Sequence, residues 1–259
     1  MELPIKWTQG NRELIAVTAD WHVPLTNRVF VQSFFDRIES EYARTKTLFV
    51  IGDLFNFDAL SNYSPKQASA SLAVELPKIK DTLLEMSQYF NKIVLTKGNH
   101  DMRLLRKLEW ATTFQESIRM VLHDIPNSLK KKLIISDHDH CYLLDKSNRD
   151  WFLAHPTEYS RIPLRIPREL ADIHKCHVMT GHSHHSAVGY DKSGKYTCVE
   201  LGGFFDNEAF DFTKATTTFP RWQIGYALIT YEGKLIVESG QWAVTEKSFQ
   251  SYPIRRGEG

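Results

Sequence analysis

Five short apolar runs in this chain each end on residues that bind metals or exchange protons. Leu14 to Thr18 runs into Asp20 and His22, Thr47 to Ile51 into Gly52-Asp53, and Ile93 to Thr96 into Gly98-Asn99-His100-Asp101. Trp151 to Ala154 runs into His155, and Val178 to Thr180 runs into Gly181-His182-Ser183-His184. β-Branched and aromatic runs of this length, bounded by glycine and polar residues, read as buried strands. In an open α/β sheet, ligands gather beyond the carboxyl ends of the strands. The pattern therefore predicts one crevice in which Asp, His and Asn side chains converge.

Between the strands the spacing turns helical, as expected of an α/β (α+β) chain. Asn27 to Ala43 repeats apolar residues at Val31, Phe34, Phe35 and Ile38. Ala68 to Phe90 does so with Leu72, Leu76, Ile79, Leu83 and Met86, and Pro77 predicts a kink or restart. A third helix starts at Leu104. After Tyr190 the pattern changes to hairpins, with turns at Asp191 to Lys195 and Tyr231 to Lys234. One domain over residues 1–259 is the economical reading, with hairpins over 206–247 and a polar, loose tail over 248–259.

A formal net charge of +1 gives no global attraction to nucleic acid or membrane, so a polyanion would have to be met by local patches. No apolar stretch is as long as a membrane span, and Met1 to Gly10 lacks the apolar core of a signal peptide. Cys141, Cys176 and Cys198 are odd in number and suit a reducing compartment, so a cytoplasmic location is expected. All three read as small buried hydrophobes.

Each cluster alone is weak, because a lone Gly-Asp is more often a turn and a lone histidine more often a core residue. Together they define a metal class. Mixed imidazole and carboxylate suits Mn, Fe, Zn or Ni, whereas Ca and Mg take all-oxygen shells. Two ions about 3.5–4 Å apart need a shared carboxylate and can share a hydroxide that attacks a phosphoryl centre in line.

The blocks Asp20-x-His22, Gly52-Asp53, Gly98-Asn99-His100-Asp101, His155 and Gly181-His182-Ser183-His184 resemble the signature of the calcineurin-like metallophosphoesterase superfamily. The resemblance spans residues 14–205. It implies a four-layer αββα sandwich of two mixed β-sheets, with two divalent transition metal ions at one edge, manganese foremost. It also implies that Asp20, His22 and His184 hold one ion, that Asn99, His155 and His182 hold the other, and that Asp53 bridges them. His100 would be the catalytic residue, facing the scissile phosphate as hydrogen-bond donor or general acid. Asp101 would be structural or would orient His100.

The expected partner is a phosphoester, preferably a phosphodiester of a nucleotide or nucleic acid, with no membrane partner and the oligomeric state left open. The alternatives are a phosphomonoesterase and a non-catalytic binding module on the same fold, which would have lost ligands. The chain departs from the commonest pattern at Asn56, where an acidic residue is frequent, at Pro156 after His155, and at Ser183 in place of threonine.

Weaker signals surround the blocks. Arg161, Arg165 and Arg168 follow His155 in a proline-broken stretch and are candidates for substrate phosphate contacts. Arg103, Arg106 and Lys107 form either a solvated helix face or a phosphate-gripping rim. Trp21, Phe55, Phe57 and Tyr63 either stack bases or wall the metals from water. Asp137-His138-Asp139-His140 reads as the exposed lead-in to a hairpin over Tyr142 to Phe152, with an ion site as the sharper alternative. His185 is expected behind or beside the ligands, and His123, His174 and His177 at helix ends or on the surface.

Overall fold

The computed structural model describes residues 3–41, 46–62, 71–210, 222–241 and 250–253. Its first elements are β1 (Lys6–Thr8), β2 (Leu14–Thr18), α1 (Arg28–Glu41), β3 (Lys46–Ile51), α2 (Leu72–Tyr89), β4 (Lys92–Thr96), α3 (Met102–Lys107), α4 (Phe114–Val121), α5 (Asn127–Lys130) and β5 (Leu133–Ile135). There follow β6 (His140–Leu144), β7 (Asp150–Ala154), α6 (Arg165–His174), β8 (His177–Thr180), β9 (Ser186–Tyr190), β10 (Thr197–Leu201), β11 (Gln223–Ile229), β12 (Leu235–Gln241) and β13 (Gln250–Pro253).

The strands form two mixed sheets. One has the order β13-β12-β11-β2-β3-β4-β5, parallel from β2 to β5 and antiparallel from β13 to β2. The other has the order β1-β6-β7-β8-β10-β9, with β7, β8 and β10 parallel.

Side chains alternate across each strand, and that alternation builds the layers. Ile15, Val17, Phe49, Ile51 and Val94 of the first sheet meet Trp151, Leu153, Met179 and Val199 of the second in a core between the sheets. Leu14, Ala16, Leu48, Val50, Ile93 and Leu95 face the other way, onto Phe30, Phe34 and Phe35 of α1 and Ile79, Leu83 and Met86 of α2. Phe152, Val178 and Cys198 pack outward on Ala171 of α6. The result is the four-layer αββα sandwich expected from the sequence. Burial of each large apolar side chain contributes about 1.5–3 kcal/mol, which is why strands apolar on both faces require both coverings.

Helix limits follow local chemistry. Asn27 Oδ1 accepts the Phe30 N–H at 3.0 Å before α1, and Ser71 Oγ accepts the Ala73 N–H at 3.2 Å before α2. Pro77 does not divide α2, which runs unbroken through it. Gln250–Pro253, expected in the loose tail, instead pairs antiparallel with β12. The expected hairpins form, with Tyr142 opposite Phe152 and Tyr190 opposite Thr197. Among the described residues no helix is long and apolar enough to cross a membrane.

Candidate metal centre

The carboxyl ends of β2, β3 and β4 in one sheet and of β7 and β8 in the other open at the same edge of the sandwich. Loop-to-loop hydrogen bonds stitch these ends together. Asp20 N–H donates to Gly52 O at 3.2 Å and His22 N–H to Asp53 O at 2.9 Å. Across the sheets, His182 N–H donates to Asp20 Oδ2 at 2.9 Å, and His155 Nδ1–H to Ile51 O at 3.0 Å.

The backbone there is unusual. Asp20, His22, Asp53, His182 and His184 all have positive φ, between 46° and 75°. Non-glycine residues adopt this left-handed region uncommonly and at a cost, and such residues cluster at functional sites. The glycines beside them serve proximity. Gly52, at φ 81°, lies so close to the His155 ring that a Cβ would collide with it, and a Cβ on Gly98 would enter the Asp53 carboxylate.

Two groups of side chains converge. In the first, His184 Nε2 lies 3.1 Å from Asp20 Oδ1 and 3.0 Å from His22 Nε2. In the second, His155 Nε2 lies 3.3 Å from Asp53 Oδ2 and 3.1 Å from Asn99 Oδ1. His182 completes that group: one ligand atom each from Asp53, His155 and His182 fall within 4.8 Å of one another. Asp53 also lies 4.0 Å from His22 Nε2, so it faces both groups. The structure thus brings all seven residues singled out from the sequence, Asp20, His22, Asp53, Asn99, His155, His182 and His184, to one place.

Electrostatics fit divalent cations. Burial alone would raise the Asp20 and Asp53 carboxyls, yet the neighbouring imidazoles, His184 and His155 foremost, hold both well below the usual carboxylate range. Burial would lower His155, but Asp53 and Asp20 push it up to about 10. The cluster therefore draws positive charge into a buried position, and a divalent ion would replace that proton between Asp53 and Asn99. Burial lowers His184, and burial with His155 lowers His182 to about 4, which leaves their lone pairs free. Asp20 Oδ1 is buried and makes no hydrogen bond. The imidazole, carboxylate and amide donors suit a transition metal, and the His155 Nδ1–H bond to Ile51 O aims Nε2 inward, as such sites require.

A cleft of about 240 Å³ opens over the cluster. His22, Asp53, Asn99, His100, His182 and His184 line it together with Tyr159, Phe210 and Trp222. Trp222 meets His184 edge-on at 4.5 Å, and Phe205 lies 4.5 Å from the same ring. A larger cavity of about 360 Å³, between Leu122, Ile125, Leu133 and Ile135, holds none of the converging ligands.

His100 stands beside the cluster. Its N–H donates to Asp53 Oδ1 at 2.8 Å, and its ring lies 4.5 Å from His22, edge to face. Burial, reinforced by His22 and Arg103 and opposed by Asp53, holds its pKa well below the ordinary imidazole value. Asp101 is structural: its carboxylate accepts the N–H groups of Asp53, Phe55 and Gly98 at 2.8, 3.0 and 2.7 Å.

Other candidates fall elsewhere. Arg168 Nε donates to Tyr190 O, and Arg165 pairs with Glu169; neither lines the cleft, nor does the exposed Arg161. Arg106 and Lys107 are exposed, but Arg103 turns inward, with Nη2 3.4 Å from His100 Nε2. Trp21, Phe55 and Phe57 are fully buried and offer no face to a base, and Tyr63 lies outside the described residues. Asp139 bonds His140 at 2.8 Å, but among the described residues neither belongs to a group able to hold a metal. His185 is buried behind the ligands, 3.7 Å from Glu200. Sequence reasoning missed Tyr159, Phe205, Phe210 and Trp222. The three cysteines are free and buried.

No curated protein sequence matches the chain. Among solved structures it is similar to a single mutant of Vps29 from Entamoeba histolytica, at 14% identity over 92% of this chain and 97% of the other, with a TM-score of 0.50. It is also similar to Vacuolar Protein Sorting 29 from Cryptosporidium parvum, at 10% identity over 94% of this chain and 100% of the other, with a TM-score of 0.48. The family profile described as calcineurin-like phosphoesterase matches residues 14–192, which carry every residue of the metal cluster. The chain belongs to the calcineurin-like phosphoesterase family.

Proposed function

We propose that this protein hydrolyses phosphodiesters of nucleotides or nucleic acid with two divalent transition metal ions, manganese foremost. One observation carries the reading: a complete set of seven candidate ligands converges at one place, and five of them line a single open cleft with His100. A binding module derived from this fold would tolerate their loss. Bound there, the ions would supply Lewis-acid polarisation of phosphoryl oxygens and a nucleophile at neutral pH.

The chain's own residues divide the remaining work. Asp20, His22 and His184 would hold one ion, Asn99, His155 and His182 the other, and Asp53 would face both. Tyr159 and Trp222 offer aromatic faces at the cleft, with Phe210 packed beneath, which supports a substrate that carries a base. The diester preference rests on these rim aromatics; of the three arginines that follow His155, none lines the cleft.

The test is the purified protein loaded with Mn and offered a chromogenic monoester, a chromogenic diester, cyclic nucleotides, and single- and double-stranded DNA. Turnover of diesters above monoesters is expected. Turnover of the monoester alone would make the protein a phosphomonoesterase, and full metal content with no turnover of any substrate would make it a binding module.

A further inference from the structure

The seven-stranded sheet ends at β5, and the helical layer over that edge is thin. α4 stops at Val121, α5 is a single turn of four residues, and the link between them turns Leu122 and Ile125 inward, 2% and 5% exposed. Leu133 and Ile135 of β5 face the same helical side, while Ile134 faces the core between the sheets. These four aliphatic side chains line the cavity of about 360 Å³. Protein interiors are close-packed and hold few voids larger than a water molecule. A space of this size falls instead within the range of small-molecule sites, about 300–1,000 Å³. Among the described residues no Phe, Tyr or Trp lines it, so it suits a flexible aliphatic chain better than a flat base.

Its mouth carries one sign of charge. Arg119, His123 and Lys130 complete the lining and are exposed, and among the described residues no carboxylate joins them. The acidic residues nearest in sequence are held by other groups. Glu116 accepts the Thr113 N–H at 3.0 Å and the Thr112 and Thr113 hydroxyls at 3.0 and 3.1 Å, and Asp124 pairs with Lys80 of α2 at 2.6 Å. Lys130 Nζ donates to His123 O, which fixes the ammonium across the mouth from α5 to the link after α4. An ammonium has three donors, so Lys130 keeps two for a ligand. The Arg119 guanidinium can offer a carboxylate two parallel bonds.

An apolar well under a cationic rim is complementary to an amphipathic anion. We propose that this cavity binds an aliphatic carboxylate, with its chain among Leu122, Ile125, Leu133 and Ile135 and its head at Arg119 and Lys130. It shares no lining residue with the metal cleft, so this site stands apart from the phosphoester reading.

The test titrates the full chain with decanoate, decanol and decyltrimethylammonium, with isoleucine and leucine methyl groups labelled for NMR. Chelator is present throughout, so that a carboxylate cannot settle on a metal ion. Decanoate should fill a single saturable site and shift the methyl signals of Ile125, Leu133 and Ile135. Decanol, which lacks the charge, should bind about tenfold more weakly or worse, and the cationic amphiphile should not bind. Arg119→Glu combined with Lys130→Glu changes two exposed positions and leaves the well intact. It should weaken decanoate by about tenfold or more and leave decanol unchanged. Leu133→Trp should fill the well and abolish binding of both. Equal affinity for decanol and decanoate overturns the proposal, as does undiminished decanoate binding in the double variant. Shifts confined to other residues, or no saturable binding of decanoate, overturn it as well, and the last result would give the well to an apolar side chain of a partner protein.

Discussion

The Asp101 carboxylate accepts the backbone N–H of Asp53 at 2.8 Å, so the residue that faces both metal groups is held in place by one from the next loop. The same carboxylate binds Gly98 and Phe55, which makes it the clamp between the ends of β3 and β4. In Asp101→Asn an amide N–H would face one of these donors. The expected loss is about 1–3 kcal/mol of stability, with weaker metal uptake. Urea unfolding in chelator and elemental analysis of the folded variant measure the two effects, and wild-type values in both would show that Asp101 clamps nothing.

Because Asp53 faces both groups, Asp53→Asn should reduce metal content at both positions, while His22→Ala should mainly weaken one. Mn-reconstituted wild type is expected to approach two ions per chain. A single tightly held ion with no second site would contradict the two-ion arrangement.

Trp222 borders the cleft beside His184. Stacking of a base on an aromatic ring is worth about 1–3 kcal/mol. Trp222→Ala should therefore raise KM for a nucleotide diester by roughly 5- to 150-fold, with little change for a dimethyl phosphate analogue. An equal rise for both would assign Trp222 to shaping the metal groups.

Asp191 supplies the pH prediction. Ser193 Oγ foremost, then the Tyr196 N–H, hold its carboxyl down at about 2. A depressed value means the folded state favours the carboxylate, so this contribution is present above about pH 4 and lost as the pH falls through about 2. Asp191→Asn should be less stable than wild type at pH 6, and the gap should close in acid. A gap that stays constant from pH 6 to pH 2.5 in urea unfolding would remove Asp191 from the account.

What was legible in the sequence was what strands enforce. A run such as Leu48 to Ile51, apolar on both faces, has to lie between two layers, and the residues just after it then occupy the sheet edge. His155 and His182 were found that way, although they belong to the other sheet. Adjacency along the chain was the weaker guide. Arg168 follows His155 by thirteen positions, yet α6 carries it to Tyr190 at the far end of β9. Trp21 neighbours two ligands, yet strand-end geometry turns it under them onto Phe204, 4.1 Å away. Conversely Phe210 and Trp222 reach the cleft from segments with no chemical motif. Pro77 starts no new helix, because a helix already packed on a sheet can carry one missing hydrogen bond.

The left-handed backbone at Asp20, His22, Asp53, His182 and His184 has a consequence for the order of assembly. A free chain visits such a conformation at any one of these residues only rarely, and at all five together hardly ever. The donors therefore come into register only after both sheets have closed, so the ions cannot template the fold as they do in a zinc finger. A metal bound here would join a finished protein. Its contribution is then mass action on the native state alone, about 1.4 kcal/mol of added stability for each tenfold excess of free ion over its dissociation constant. Chelation should strip the ions and leave the sandwich standing.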